Sequence, residues 1–288
     1  MEALALSPAL TERVLEKLGL RAQPEPTLEG LRHVYAAWCH KVPFDNVRKL
    51  IYLRERQAGP LPGDTALDFF EAWLRYGCGG TCWAGNGALH ALLASLGFAA
   101  ARGLATMLAA PNIPPNHGTV VVSFDAERYL VDASILHGEP LPLDAGAATA
   151  VSHPAWGVRC EPLDTRWMIH WRPLHLPAGF DCRIERLGVS SQAFHERHEA
   201  SRAWSPFNYA LYARRNGERH VIGAAFGQRV EFDAAGEVRS SMLVPAQRER
   251  FLIEQMGLHE ALAERLPADL LTPPPPGSST AQNAGSDG

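Results

Sequence analysis

Apolar residues recur every three or four positions through most of the first hundred residues, which is the spacing of amphipathic helices. One such helix follows Thr27, a residue type that caps helix N-termini. Another follows the segment 78–81 and ends near Gly97, a typical C-cap residue. Further helices are predicted after Ser7 and over residues 66–76. The apolar face of the helix after Thr27 consists of Leu28, Leu31, Val34, Tyr35 and Trp38.

From Ala99 onward the pattern changes to short β-branched or alternating segments separated by turns with proline or glycine. The first six segments predict a small antiparallel barrel or sandwich, and they span 101–107, 118–124, 128–132, 155–161, 165–173 and 181–186. Later elements are predicted as a helix over 190–203, strands over 208–213, 219–226 and 228–232, and helices over 245–256 and 259–266. The proline-rich segment that starts at Thr272 has the composition of a disordered tail.

Composition narrows the class of protein. Apolar residues make up 46% and charged residues 20% of the 288 residues, which is the balance of a soluble globular protein. A net charge of −4 argues against the basic face that binds nucleic acid. No apolar run reaches the roughly 20 residues of a membrane-spanning helix, and the N-terminal residues lack a signal-peptide pattern. Five irregularly spaced cysteines argue against a disulfide framework, so we expect a cytoplasmic protein with reduced thiols.

Cys82 is the strongest candidate for chemistry. It follows two glycines and a threonine at the start of a predicted helix, where unpaired backbone N–H groups and the helix dipole favour a thiolate. A tight glycine turn also lets a substrate approach the backbone closely. The alternative is that Cys82 is a small, buried, apolar side chain, and the local sequence leaves both interpretations open.

A cysteine nucleophile needs a base and usually a carboxylate that orients the base. His117 stands at the start of a predicted strand, and Asp132 ends the returning strand of the same hairpin. A turn centred on residues 126 and 127 places Asp132 opposite Val121, about 13 Å along the strand from His117. In that register contact requires a bulge, a different register, or a position of His117 in the preceding loop.

Three patterns stand in order along the chain. Val42–Asn46 reads VPFDN, Cys78–Gly87 reads CGGTCWAGNG, and His117 is followed by YLVD at Tyr129–Asp132. In the same order they resemble the Ile-Pro-Phe-Glu-Asn motif, the nucleophile segment, and the histidine and Tyr-Leu-Val-Asp pair of the arylamine N-acetyltransferases. A weaker match follows over 205–209 and 221–227, so the likeness extends over about residues 10–266.

The resemblance implies both the roles of residues and the fold. The residues that match the family's catalytic triad are Cys82, His117 and Asp132. The implied fold is α+β with a cysteine-protease-like triad: a helical bundle over 1–98, a small antiparallel β-barrel over 99–188, an α/β lid over 189–270, and a disordered tail over 271–288. The implied reaction moves an acetyl or other acyl group from a coenzyme A thioester to an arylamine, hydrazine or related amine through an acyl-cysteine. Acetyl-CoA is expected as a cosubstrate, with no bound cofactor, metal, nucleic acid or membrane partner.

The chain also departs from the family pattern near the proposed nucleophile. Cys78 replaces the family's arginine, Thr81 replaces an aromatic residue, Ala84 replaces a glutamate, and Ser-Ile-Leu at 134–136 replaces Gly-Phe-Gly. Three alternatives therefore stay open: an amide synthase that uses a carrier-bound acyl thioester, a cysteine hydrolase of the papain or transglutaminase type, and a non-catalytic member of the family.

Other candidate sites have less support. Cys78 and Cys82 lack the two further close ligands that a zinc site needs. His195 and His198 indicate a solvated helix face more readily than a ligand pair. The arginines that could meet the phosphates of coenzyme A are Arg183, Arg186, Arg214 and Arg215.

Overall fold

The computed structural model describes residues 6–109 and 115–274, and it combines helices with two antiparallel sheets. The helices are α1 (Pro8–Leu18), α2 (Leu28–Lys41), α3 (Val47–Arg54), α4 (Ala66–Tyr76), α5 (Cys82–Ser95), α6 (Ser191–Trp204), α7 (Pro245–Glu254) and α8 (Glu260–Ala263). Among these described helices, none has the length and apolar character needed to cross a membrane.

The strands are short and lie mostly in the second half of the chain. They are β1 (Phe44–Asp45), β2 (Ala100–Met107), β3 (His117–Phe124), β4 (Glu127–Val131), β5 (Leu141–Pro142), β6 (Thr149–Val151), β7 (Val158–Leu163), β8 (Arg166–Trp171), β9 (Phe180–Val189), β10 (Tyr212–Asn216), β11 (Val221–Ala225), β12 (Gln228–Phe232) and β13 (Val238–Met242). This order of elements confirms the predicted α+β class.

Capping residues fix where the N-terminal helices begin and end. The Ser7 hydroxyl accepts a hydrogen bond from the N–H of Leu10 at the start of α1. Thr27 does the same for α2, and Thr65 for α4. Helix α4 ends at Gly77, whose φ of 71° is a left-handed conformation that glycine adopts without strain. Ser7 and Thr27 are the residues after which the first two helices were predicted, whereas the cap at Thr65 was not predicted.

Strands β2 to β9 form one eight-stranded antiparallel sheet in the order β5-β4-β3-β2-β9-β8-β7-β6. Its edge strands β5 and β6 lie in contact without a shared hydrogen-bonded ladder, so the sheet curls into a nearly closed barrel. Buried side chains that include Val121, Leu130, Ile169 and Ile184 fill the interior. The predicted small antiparallel barrel is therefore confirmed.

The second sheet has the order β1-β10-β11-β12-β13 and draws on both ends of the chain. Phe44 pairs with Arg214 and Asp45 with Ala213, so an N-terminal segment forms one edge of a C-terminal sheet. The sequence did not predict β1, α3 or β13, nor the barrel edge strands β5 and β6. The domain limits at residues 98, 188 and 270 stay a prediction, and from residue 275 onward the predicted disordered tail lies outside the described residues.

The hairpin of β3 and β4 has a different register from the predicted one. Its turn lies at residues 125–126, because Asp125 adopts a left-handed φ of 50° and Phe124 pairs with Glu127. Continuing the ladder past Val120 and Val131 places Asp132 opposite Thr119, rather than opposite Val121. His117 is two residues from Thr119 and so shares its face of the strand, which brings it within diagonal reach of Asp132.

Substitutions at two glycines of the segment CGGTCWAGNG would show how tightly this segment packs against its neighbours. We expect Gly79→Ala to destabilise the fold by about 3 kcal/mol or more, because the new methyl group would collide with the backbone of Pro43, 1.7 Å away. Gly87→Ala, inside α5, would meet only Phe194 at 3.8 Å and should be neutral or stabilising by up to about 1 kcal/mol. Chemical denaturation of both variants measures the difference, and equal effects would contradict the tight packing at Gly79.

Candidate active site

Cys82 is the first residue of α5, and its side chain borders a cavity at 8% exposure. Gly79 and Gly80 lead the chain into this helix through a space without room for side chains. A Cβ atom on Gly79 would lie 1.7 Å from the carbonyl oxygen of Pro43. A Cβ atom on Gly80 would lie 2.8 Å from the Cβ of Ala84. The glycines therefore let the loop pack directly beneath the helix terminus that carries the thiol.

Asp45, in the segment VPFDN, holds this loop in place. Its buried carboxylate accepts hydrogen bonds from the N–H of Gly79 at 2.6 Å and the N–H of Val47 at 3.0 Å. Burial raises the pKa of Asp45 to about 6, although these two N–H groups and Arg48 oppose the shift. The carboxylate thus ties the start of α3 to the loop before Cys82.

Asn46 ties the same region to the C-terminal half of the chain. Its side-chain amide donates to the carbonyl oxygens of Phe207 and Ala210 at 2.9 and 2.8 Å. Its side-chain oxygen accepts from the N–H of Tyr212 at 2.9 Å. Sequence reasoning treated Asp45 and Asn46 only as marks of a family, because their partners lie more than 30 and 160 residues away along the chain.

His117 is the first residue of β3, and its Nε2 lies 2.7 Å from Oδ2 of Asp132. Both residues are buried, at 2% and 0% exposure. The Cys82 side chain lies close enough to the His117 ring to raise the pKa of the imidazole, and its thiol lies 4.0 Å from the carbonyl oxygen of Asn116. The structure therefore brings together all three residues singled out from the sequence.

The charges of the pair depend on each other. Burial by itself lowers the pKa of His117, but the charge and hydrogen bond of Asp132 outweigh it and raise that pKa to about 10. Burial likewise favours the neutral form of Asp132, but His117 and the N–H groups of Ser134 and Ile135 hold its pKa well below the usual range. At neutral pH the site therefore holds an imidazolium and a carboxylate side by side.

Two buried side chains that sequence reasoning did not single out position Asp132. Asn86, one turn after Cys82 on α5, donates to the carbonyl oxygen of Gly118 at 2.7 Å and accepts from the N–H of Ala133 at 2.9 Å. The hydroxyl of Tyr35 bonds to both the carbonyl oxygen and the N–H of Asp132, at 2.9 and 3.0 Å. These bonds fix the hairpin against α2 and α5.

Cys82 and His117 border a cavity of about 130 Å³ that lies between the helices, the barrel and the C-terminal sheet. Its walls are largely aromatic, and the aromatic lining residues include Phe44, Trp171, Phe180, Trp204, Phe207 and Tyr212. Polar lining groups include Lys49, Ser201 and Ser205. A planar apolar molecule would be surrounded by ring faces and edges in this cavity.

Two of the weaker sequence interpretations are wrong. His198 does not lie on a solvated helix face: it is 3% exposed, because the face of α6 that carries Phe194 and His198 packs inward. Arg214 cannot meet a phosphate from solvent, since it is 2% exposed and its guanidinium lies 5.9 Å from the ring of Trp171. The other three candidate arginines are not among the lining residues of the cavity.

The five cysteines are all free thiols. In the part of the chain that the structure describes, no group of three or more His, Cys, Asp or Glu residues is placed to hold a metal ion.

A cysteine at a helix N-terminus, a buried histidine–aspartate pair on an adjoining barrel, and an aromatic cavity beside them are features of proteins that use a cysteine nucleophile. The family model described as N-acetyltransferase matches residues 27–167. A curated arylamine N-acetyltransferase of Mycolicibacterium smegmatis is 28% identical over 149 residues, which cover 48% of this chain and 52% of that protein. The match thus spans about half the length of this relative.

Solved structures extend the likeness of the fold over most of the chain. The arylamine N-acetyltransferase of Mycobacterium abscessus has a TM-score of 0.71 at 21% identity, covering 89% of this chain and 94% of that one. The Mycobacterium marinum enzyme in complex with CoA has a TM-score of 0.74 at 18% identity, covering 91% and 100%. The Salmonella typhimurium protein has a TM-score of 0.72 at 19% identity, covering 91% and 98%. The family model and the curated relative support the arylamine N-acetyltransferase family, with divergence at low identity, and the solved structures share the fold of this chain.

The buried pair predicts how stability depends on pH. The raised pKa of His117 contributes stability that is complete below its unfolded value of about 6.5 and is lost as the pH rises toward about 10. The lowered pKa of Asp132 contributes stability above about pH 4 that is lost in acid. We therefore expect Asp132→Asn to reduce the free energy of unfolding more at pH 6 than at pH 9, by a difference of the order of 2 kcal/mol. Urea denaturation at both pH values measures it, and a deficit that does not change with pH would contradict the charged pair.

Asn86 predicts a separate effect on reactivity. Asn86→Ala leaves buried partners on Gly118 and Ala133 unsatisfied, so we expect a loss of about 1–3 kcal/mol in stability and slower alkylation of Cys82 by iodoacetamide. Asn216→Ala is the matched control, because this buried asparagine donates to the carbonyl oxygen of Leu136 and, among the described residues, has no side-chain hydrogen bond to β3. It should lose stability without changing the alkylation rate. Equal slowing in both variants would mean that Asn86 has no specific positioning role.

Proposed function

We propose that this protein transfers an acetyl group from acetyl-CoA to an arylamine, hydrazine or related amine through an acetyl-Cys82 intermediate. The observation that carries the proposal is the buried His117–Asp132 pair, 2.7 Å apart, in contact with a thiol at a helix N-terminus. The proposed roles are nucleophile for Cys82, general base and acid for His117, and orienting carboxylate for Asp132.

In the first half-reaction, His117 holds the proton of the Cys82 thiol and leaves a thiolate. The thiolate attacks the thioester carbonyl carbon, and the carbonyl oxygen becomes an oxyanion. Backbone N–H groups at the start of α5 are placed to stabilise it, an effect worth about 3 kcal/mol per donor. The carbon–sulfur bond to coenzyme A then breaks, and the released thiolate of coenzyme A takes the proton from His117.

In the second half-reaction, the amine nitrogen attacks the acetyl carbonyl carbon on Cys82. Neutral His117 accepts the proton that the nitrogen loses, and the bond between the acetyl carbon and the Cys82 sulfur breaks. The products are an amide and the free enzyme, in which Cys82 and His117 again share the proton. Both half-reactions thus use one base in alternating roles.

The cavity supports an aromatic acceptor. Its aromatic walls, among them Trp171, Phe207 and Tyr212, suit a planar ring, and the thiol of Cys82 lies at its border. The Mycobacterium marinum relative was solved in complex with CoA, which supports a CoA thioester as the donor here. A cytoplasmic location, where acetyl-CoA is made and thiols stay reduced, accords with this proposal.

Intact-mass measurement after mixing the protein with acetyl-CoA tests the covalent step. We expect one acetyl group on the wild type, and none on Cys82→Ala, because only Cys82 contacts His117 among the cysteines named at the site. Cys78→Ala is the matched control, since Cys78 is fully buried and burial raises the pKa of its thiol far above the usual range. It should still acquire the acetyl group, and addition of an arylamine should remove it.

The outcomes separate the alternatives. An adduct that forms only from a carrier-bound acyl thioester would favour the amide synthase. An adduct that water removes as fast as an amine would favour a hydrolase. The absence of any adduct from either donor would favour a non-catalytic member of the family and overturn the proposal.

A further inference from the structure

Lys49 is a second chemical group in the cavity, and the mechanism above does not use it. It lies on α3, three residues after Asn46, and lines the same cavity as Cys82. The residue is 4% exposed. Its ammonium donates a hydrogen bond to the hydroxyl of Ser201 on α6 at 3.0 Å. An ammonium has three N–H donors, so Ser201 satisfies only one of them.

No acidic side chain among the described residues forms an ion pair with this ammonium. Among the described residues, no carboxylate lies within 4.0 Å of its nitrogen, and no Asp or Glu lines the cavity. Residues 110–114, which follow Ala109 at the cavity wall, have the sequence APNIP and so contain no carboxylate. The lining groups that can carry charge are Lys49, Cys82, His117 and His175.

The charged side chains on α6 do not neutralise the Lys49 ammonium either. His198 and Arg202 there are basic, and Glu199 is engaged by the N–H of Leu61 at 2.5 Å and by Arg202 at 2.7 Å. Burial lowers the pKa of Lys49 to about 7; the Cys82 side chain and the charge of Glu199 oppose this shift, and the charge of Arg202 adds to it. Burying an amine without an acidic partner reduces the stability of the fold, and an apolar residue at the same position would not have this effect.

An anion that enters with the substrate would remove this cost. Lys49 has no carboxylate within 4.0 Å among the described residues, so a negatively charged group on the substrate would supply its counterion. One ammonium beside one hydroxyl matches a single carboxylate, whereas a phosphate dianion calls for more donors. The aromatic walls would hold the apolar part of the same molecule.

We propose that Lys49, with Ser201, forms a carboxylate-binding subsite, so that the protein prefers a substrate with a carboxylate on its acceptor amine or on its acyl group. The inference rests on the proposed function only in taking the cavity for the substrate pocket. It assigns Lys49 to binding and specificity and leaves the acyl-transfer chemistry to Cys82 and His117.

Binding alone provides a first test that needs no transferase activity. Benzoate and benzamide have nearly the same shape, and only benzoate is charged. We expect benzoate to protect Cys82 of the wild type from iodoacetamide at concentrations at least about tenfold lower than benzamide does. In Lys49→Met, which keeps the length of the side chain without its charge, this preference should disappear. Equal protection by both compounds in the wild type would overturn the subsite, whether or not the protein acetylates amines.

Kinetics then identify the source of the carboxylate. In the acceptor arm, 4-aminobenzoate is compared with 4-aminobenzamide, using acetyl-CoA. In the donor arm, succinyl-CoA is compared with butyryl-CoA, using a neutral arylamine. We expect one arm to show a preference for the carboxylate of about tenfold or more in kcat/KM, carried mainly by KM, and Lys49→Met to abolish it. No preference in either arm would overturn the proposal.

Lys41→Met is the matched control, because Lys41 is exposed at the end of α2 and is not among the lining residues of the cavity. It should keep the wild-type preference. If Lys49→Met instead slows the charged and neutral substrates equally, Lys49 has a structural role and the subsite is wrong. A failure of acetyl-CoA to modify Cys82 would contradict the proposed reaction without affecting the benzoate comparison.

Discussion

The site depends on a single buried charge, the carboxylate of Asp132. A carboxylate at 0% exposure is costly unless its oxygens are paired, and this one is paired on every side. His117 binds one oxygen, and the N–H groups of Ser134 and Ile135 bind the other. Tyr35 holds the backbone of the same residue from α2. The helices, the hairpin and the loop after it must therefore be in place together before the charge is tolerated, so the geometry of the site is part of the stability of the fold.

The departures from the family pattern have local physical explanations. Cys78 is fully buried in an apolar cluster, and Ala84 is 1% exposed with its Cβ close to the Gly80 backbone, so neither place has room for a long charged side chain. Their joint change is consistent with the loss of an ion pair. Leu136, in contrast, adopts a backbone conformation that is unfavourable for its own side chain. It keeps a left-handed φ of 54° where the family has glycine, a conformation that costs a leucine of the order of 1 kcal/mol. Asn216 donates a 2.6 Å hydrogen bond to its carbonyl oxygen and helps to hold it there.

Local signals in the sequence predicted most helices, six of the eight barrel strands and the three residues that meet at the site. Two kinds of information were missing. The first was the turn at Asp125, where a left-handed φ in a non-glycine residue moved the hairpin register by two positions. The second was long-range pairing: β1 is only two residues long and gains its strand character from β10, more than 160 residues later. Asn46 shows the same limit, because its hydrogen-bond partners exist only after the C-terminal half has folded against it.

Lys49 illustrates why a side chain near a recognisable motif can still be misread. A lysine beside an arginine in a short amphipathic helix normally points to solvent, and its neighbour Arg48 does pair with Asp68 near the surface. The burial of Lys49 follows from α6, which covers this face of α3 and supplies Ser201. Asp132 and Lys49 thus differ in which groups neutralise their charges. Asp132 is satisfied within the protein, so its role is to fix geometry, whereas the charge of Lys49 is left to a ligand, which makes it a determinant of specificity.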